Sequence, residues 1–105
     1  MDVQLRRGLL EVCVLAAVRA HDSYGYQIIR EIEPYVGISE STLYPILRRL
    51  EAGRMVVEYS VAHNSRLRKY YRITDAGLAR LDEFEVDWEE MSSIRQFILE
   101  GGKGS

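Results

Sequence analysis

The chain has 105 residues, 47% of them apolar, and its 14 Lys and Arg against 16 Asp and Glu leave a formal charge of −2. That supports one core, and because a domain this small buries only a modest share of its surface, a single domain steadied by a second copy is expected. The lone Cys13 excludes an intramolecular disulfide, no apolar run reaches the length of a membrane span, and no signal-peptide pattern opens the chain, so a soluble cytoplasmic protein is expected.

From Gln4 to Ala20, Leu5, Leu9, Val12, Cys13 and Ala16 form one apolar face, and Leu10, Val14, Ala17 and Val18 make much of another. A helix of that kind should be buried on two sides. Asp22 or Ser23 can cap a short second helix through Tyr26, Ile28, Ile29 and Ile32, which Pro34 ends. After a turn over 35–38, Ser39 should open a third helix by accepting hydrogen bonds from its orphaned N–H groups. Leu43, Ile46, Leu47 and Leu50 recur at i, i+3, i+4 and i+7, which defines a buried stripe and leaves Ser41, Tyr44, Pro45 and Arg48 pointing away from it. Gly53 stands where this helix should terminate in a left-handed residue. Pro45, in the second turn, lacks a backbone N–H and should bend or loosen the start of the helix, either as a functional feature or as a tolerated kink.

Residues 55–61 and 67–73 are rich in β-branched and aromatic side chains and flank the turn-prone His63-Asn64-Ser65, which predicts an antiparallel hairpin. Strand alternation puts Arg68, Tyr70 and Arg72 on one face and Lys69, Tyr71 and Ile73 on the other. Only part of this basic cluster can therefore meet a polyanion, and one of the two tyrosines belongs to the core. Thr74 with Asp75 starts a long fourth helix, in which Leu81, Phe84, Trp88, Met91 and Ile98 follow three- and four-residue steps that Arg95 interrupts. Such a seam should lie on another helix. The expected fold is mainly α with a small β-hairpin: a winged helix-turn-helix over residues 1–73, a dimerisation helix over 74–100 and a flexible tail over 101–105.

Charge is distributed unevenly along this layout. Residues 39–73 hold seven basic side chains against three acidic ones, whereas residues 74–100 hold two basic against eight acidic. A positive face toward phosphate and an acidic helix kept away from it is the simplest arrangement. An α-helix fits the major groove, and its N-terminal turns enter first. Ser39, Ser41, Thr42, Tyr44 and Pro45 therefore stand as candidates for the contact surface, with Arg48 directed at phosphate or guanine. Tyr44 is at the edge of the buried stripe and can equally be half core, and Arg49 can serve phosphate or an intramolecular carboxylate. Arg66, Arg68 and Lys69 supply the hairpin's contribution. Catalysis is not expected. His21 and His63 are far apart in this layout, and no Gly-rich phosphate loop or metal-ligand spacing occurs, so no cofactor or metal is anticipated.

Four segments resemble the PadR family of transcriptional regulators: Leu5-Arg6-Arg7-Gly8-Leu9-Leu10-Glu11; Tyr24-Gly25-Tyr26-Gln27-Ile28; Ser41-Thr42-Leu43-Tyr44-Pro45-Ile46-Leu47-Arg48-Arg49-Leu50-Glu51; and Arg68-Lys69-Tyr70-Tyr71-Arg72-Ile73-Thr74-Asp75-Ala76-Gly77. They span most of the chain in order. A single helix after the wing resembles the family's short subgroup, in which that helix and the first one build a homodimer. The resemblance implies a sequence-specific regulator, most simply a repressor, with double-stranded operator DNA as partner. It also implies that a flat aromatic effector can bind near paired tryptophans at the dimer centre, which makes Trp88 a ligand candidate with Leu9, Cys13, Phe84 and Met91 as walls; the alternative role of Trp88 is interface packing. Asp87 and Glu90 would favour a cationic ligand. Two departures stand out: the family's helix-ending glycine usually comes one residue after Gly53, where this chain has Arg54, and its wing tip usually carries glycine where this chain has residues 62–67. The competing function is a winged-helix module that docks an acidic protein partner with the same basic surface.

Overall fold

The computed structural model describes residues 1–101; the expected tail lies, from residue 102 onward, outside the described residues. Four helices and one hairpin follow in the order α1 (Val3–Ala20), α2 (Gly25–Ile32), α3 (Glu40–Ala52), β1 (Val56–His63), β2 (Arg66–Ile73) and α4 (Asp75–Glu100). Helix α1 starts where the Asp2 carboxylate accepts from the N–H groups of Gln4 and Leu5. It runs through the centre of the fold, where Val14, Leu15 and Val18 meet Ile28 and Ile32 of α2, Leu43, Ile46, Leu47 and Leu50 of α3, Val56 of β1, Tyr71 of β2 and Leu81 of α4. The α3 stripe is buried as its spacing predicts, each of its four residues being at most 4% exposed.

Three expected caps are corrected. Neither Asp22 nor Ser23 caps α2, whose N-cap is Tyr24 with no side-chain bond. Asp22 is drawn instead to the hairpin, and Ser23 is fully buried, its backbone N–H donating to Tyr71 O (3.1 Å) and its carbonyl accepting from Tyr71 N (2.8 Å). That exchange adds a one-residue third strand to β2. Ser39 is the N-cap of α3, as expected, but its hydroxyl meets the hydroxyls of Ser41 (3.0 Å) and Thr42 (3.2 Å) and not the helix N–H groups. At the other end Gly53 is not left-handed, with φ −83°. Arg54 takes that conformation, φ 59°. The reason is hydrogen-bond phase: Met55 N donates to Leu50 O (2.8 Å) and Arg54 N to Glu51 O (3.0 Å), a Schellman closure that puts the left-handed residue one past Gly53.

Val56 to His63 pairs antiparallel with Ile73 to Arg66 in one continuous register. The turn is shorter than expected, since His63 belongs to β1 and only Asn64 and Ser65, both with positive φ (49° and 66°), form a two-residue connection of the kind that matches strand twist. Of the paired tyrosines, Tyr71 goes into the core and Tyr70 to the outer face, where it stacks on its cross-strand neighbour Tyr59. Thr74 caps α4 by accepting from Gly77 N and ties it to the α3 closure by donating to Arg54 O (2.6 Å). Gly77 is required there, because a Cβ would collide with the Met55 carbonyl and come within 2.6 Å of Ile73 Cγ1.

Of the two apolar faces of α1, the one with Leu10, Val14, Ala17 and Val18 is buried, and the one with Leu5, Leu9, Cys13 and Ala16 is not buried as expected. Leu5 is 49% exposed, and Leu9, Cys13 and Ala16 are only half-buried. Helix α4 crosses this face and touches it with Leu81 and Phe84, leaving an open groove beside them. Beyond the crossing α4 runs on into solvent, and the molecule is 67 Å long as a result. Among the described residues no helix is long and apolar enough to cross a membrane.

Candidate nucleic-acid interface

The outward side of α3 is polar and unconsumed at its N-terminal half. Ser39, Ser41 and Thr42 are exposed around their shared hydroxyl contacts, so all three remain available as donors or acceptors to an external group. Arg48 is exposed and forms no ion pair among the described residues. Tyr44 is both things the sequence allowed, 40% exposed yet packed by its ring edge on α2. Its hydroxyl sits where a Cβ on Gly25 would be, 2.6 Å from that position, so the glycine is what admits the tyrosine. Arg49, by contrast, is committed within the chain: its Nε donates to Glu11 Oε1 at 2.9 Å. Pro45 leaves α3 continuous from Glu40 to Ala52. Its half-buried ring, with Thr42, lines a depression against α1.

That depression brings in two residues the sequence reading did not assign. Arg6 and Arg7 line it from the α1 side; Arg6 donates to Gly37 O at 2.5 Å, and Arg7 forms no ion pair among the described residues. The sequence signal was the pair of arginines between two apolar stripes. What it could not give is the crossing of α1 and α3 that turns them toward the start of α3.

The hairpin divides its basic residues between three environments. Arg66 is exposed at the turn, and Lys69 is exposed with its nearest carboxylate, Glu58, at 3.7 Å. Arg68 lies over the Tyr24 ring, 4.1 Å from its centroid. Arg72, counted above as part of the positive face, is paired instead with Asp22 through Nε at 3.1 Å. A depression of about 470 Å³ lined by Tyr24, Tyr26, Tyr44, Arg68, Lys69 and Tyr71 joins the hairpin to α2 and α3, so Tyr44, Arg68 and Lys69 form one surface. The Tyr59 hydroxyl, ahead of Arg72, holds the Asp22 carboxyl below its ordinary value, and burial pushes the Tyr71 hydroxyl up.

The five residues suggested for a ligand are not one cluster. Leu9, Phe84 and Met91 line the α1–α4 groove, about 370 Å³, together with Leu5, Ile94 and the acidic Asp87 and Glu90. Arg80 pairs with Asp87 (3.5 Å) at its edge. Trp88 is beside this groove and not in its lining, 55% exposed and with its ring 6.2 Å from that of Phe84. Cys13 faces a separate depression with Ala16, Ala17, Ala20, Ile32 and Tyr35, where burial raises its thiol pKa. Cys13 shares the face of Leu9 but lies one turn further along α1, and the separation is along the helix axis and not around it. Among the described residues no group of three His, Cys, Asp or Glu side chains is placed to hold a metal ion.

Three helices, a two-stranded wing and an outward helix face of hydroxyls and arginine define a winged helix-turn-helix of the DNA-binding kind. Residues 14–83 match the transcriptional regulator PadR-like family, and the chain belongs to that family. It is similar to a PadR family transcriptional regulator from Eggerthella lenta (36% identity, 93% of this chain and 88% of that one, TM-score 0.83) and to smu.1704 from Streptococcus mutans (39% identity, 94% and 93%, TM-score 0.79). Among curated proteins it is 30% identical to the transcriptional regulator Rv3488 of Mycobacterium tuberculosis over 90 residues, 85% of this chain and 84% of that protein. It is thus a DNA-binding regulator of transcription, of a family that is not enzymatic.

Proposed function

We propose that the protein is a homodimeric repressor whose two α3 helices enter successive major grooves of a roughly palindromic operator. One observation supports this above the rest: Ser41, Thr42, Tyr44 and Arg48 of α3 and Lys69 of the wing are all exposed, Tyr44 and Lys69 line one depression, and among the described residues the only carboxylate paired with any of the five is Glu58, 3.7 Å from Lys69. Ser39, Ser41 and Thr42 would meet phosphate, Arg48 phosphate or a guanine edge, and Arg66, Arg68 and Lys69 the backbone beside the wing. Arg7 extends the same surface at the start of α1. Residues 1–73 are the DNA-binding unit in this reading and residues 74–100 the dimerisation helix, because α4 buries only Gly77 and Leu81 within its own chain and leaves Phe97 and Ile98 each 71% exposed. Two-fold symmetry then sets two half-sites.

A flat aromatic effector fits the α1–α4 groove, with Leu9, Phe84 and Met91 as walls and Asp87 and Glu90 favouring a positive charge. Binding there would prefer one spacing of the two heads over another, a coupling of typically about 1–3 kcal/mol. The test is a titration of wild type and Arg48→Ala against a labelled duplex from upstream of the protein's own gene and a scrambled control, near physiological salt. Selective binding by wild type that Arg48→Ala weakens at least tenfold is expected. Unchanged binding by Arg48→Ala would remove α3 from the interface.

A further inference from the structure

The wing is long for its anchorage. Each strand has eight residues, a span of about 26 Å at the usual rise per residue, and of these only Val56, Tyr71 and Ile73 at the base enter or flank the core. All three belong to the same face of the ribbon, since Val56 pairs with Ile73 and Tyr71 with Glu58 in the register. The Ser23–Tyr71 backbone exchange holds β2 along its edge, which leaves the tilt of β1 and of the outer face about that edge to be set by other contacts. The opposite face carries Tyr59, Tyr70, Arg68 and Arg72, and it meets the segment between α1 and α2 at two residues, Tyr24 through ring contacts and Asp22 through the one hydrogen-bonded contact that reaches both strands. Asp22 Oδ2 accepts from the Tyr59 hydroxyl at 2.6 Å and from Arg72 Nε at 3.1 Å, one donor from each strand. Arg72 also lies 5.1 Å over the Tyr59 ring, Tyr59 stacks on Tyr70 (5.7 Å), Tyr70 meets Tyr24 edge-on (5.3 Å) and Tyr24 carries Arg68 (4.1 Å).

We propose that Asp22 is a positioning residue for DNA binding: by clamping both strands from the face opposite the core, it sets where the wing tip lies relative to α3. The carboxylate does not itself touch DNA and acts through the lever of the hairpin, whose far end carries Arg66. The inference rests on the reading that the wing contacts the phosphate backbone. A charge-assisted clamp on two donors is directional, which a purely apolar contact at that place would not be.

The test is a double-mutant cycle between Asp22→Ala and Arg66→Ala, read as binding to a random-sequence duplex over a salt series. Arg66→Ala in the wild-type background is expected to weaken binding several-fold and to flatten the log–log salt slope by about 0.9 for each protomer. In the Asp22→Ala background Arg66→Ala is expected to change neither quantity, because the tip no longer reaches its phosphate. Tyr59→Phe, which keeps the ring and deletes only the hydroxyl, should give the same coupling in reduced form and serves if Asp22→Ala does not fold. Equal effects of Arg66→Ala in every background would overturn the clamp while leaving the DNA surface intact. No effect of Arg66→Ala even in wild type would overturn the wing contact itself, and the clamp with it.

Discussion

Arg54 shows how narrowly a helix end is specified. The closure after α3 needs φ of 59° at this residue, a conformation that costs an L-residue about 1 kcal/mol, while the glycine that would adopt it freely stands one position earlier at φ −83°. Arg54→Gly is therefore expected to raise the stability by about 1 kcal/mol, less the added freedom of the unfolded chain, with an unchanged m-value in urea unfolding. A fall in the midpoint would mean that the arginine side chain contributes more than the strain it causes. The helix stop was legible from Gly53, but its phase was not, because the Met55-to-Leu50 bond that fixes it depends on where β1 leaves. The His21–Asp22 pair is a second case at this scale. Hydrogen bonding to the Asp22 carbonyl, with Glu31 at 3.0 Å, raises His21 above its ordinary value, so its contribution is complete below the unfolded pKa of about 6.5 and is lost as pH rises through the folded value. Asp22 runs the other way: it is lowered by Tyr59 and then Arg72, and its contribution holds above the unfolded carboxylate value and is lost as pH falls through the folded one. The Tm of wild type should thus decline relative to that of His21→Gln as pH is raised from about 6 to 8. Parallel profiles would contradict this assignment.

Elements whose pattern is periodic were legible, and contacts made by single residues were not. The i, i+3, i+4, i+7 stripe of α3 and the alternation of β2 gave the buried faces correctly, including one tyrosine for the core. The one-residue strand at Ser23 and the clamp at Asp22 have no periodicity to betray them; both residues resembled helix caps because serine and aspartate serve either role. The α1 face failed for a different reason, since Leu5, Leu9 and Cys13 are apolar at helical spacing yet α4 covers them only in part. The same residues become intelligible if a second chain completes the cover. Helix α4, 26 residues long and about 39 Å by its rise, has two buried residues of its own. Replacing Phe97 and Ile98 together with glutamate is expected to give a monomer by sedimentation with unchanged far-ultraviolet dichroism in the head. A dimer that survives the double change would place the interface elsewhere.

Across the whole molecule charge of the two signs lies at different ends. The basic and hydroxyl side chains gather on α3, the wing and the first turns of α1, and the eight acidic residues of 74–100 follow α4 away from them. A polyanion approaching this shape is drawn to the head and repelled by the stalk, which the near-neutral total charge conceals. In the proposed reading an effector in the α1–α4 groove, where the stalk joins the head, would act without touching DNA. Family and fold were thus readable from the chain, whereas the commitment of Arg49 to Glu11 and of Arg72 to Asp22 came only with the packing of elements far apart in sequence.

If two copies present their two α3 helices to one duplex, hydroxyl-radical footprinting on the region upstream of the protein's own gene should record both. Two protected patches are expected on one face of the duplex, with centres about one helical turn or a whole multiple of it apart, both lost together in Arg48→Ala. A single patch, or two that survive Arg48→Ala, would contradict that arrangement.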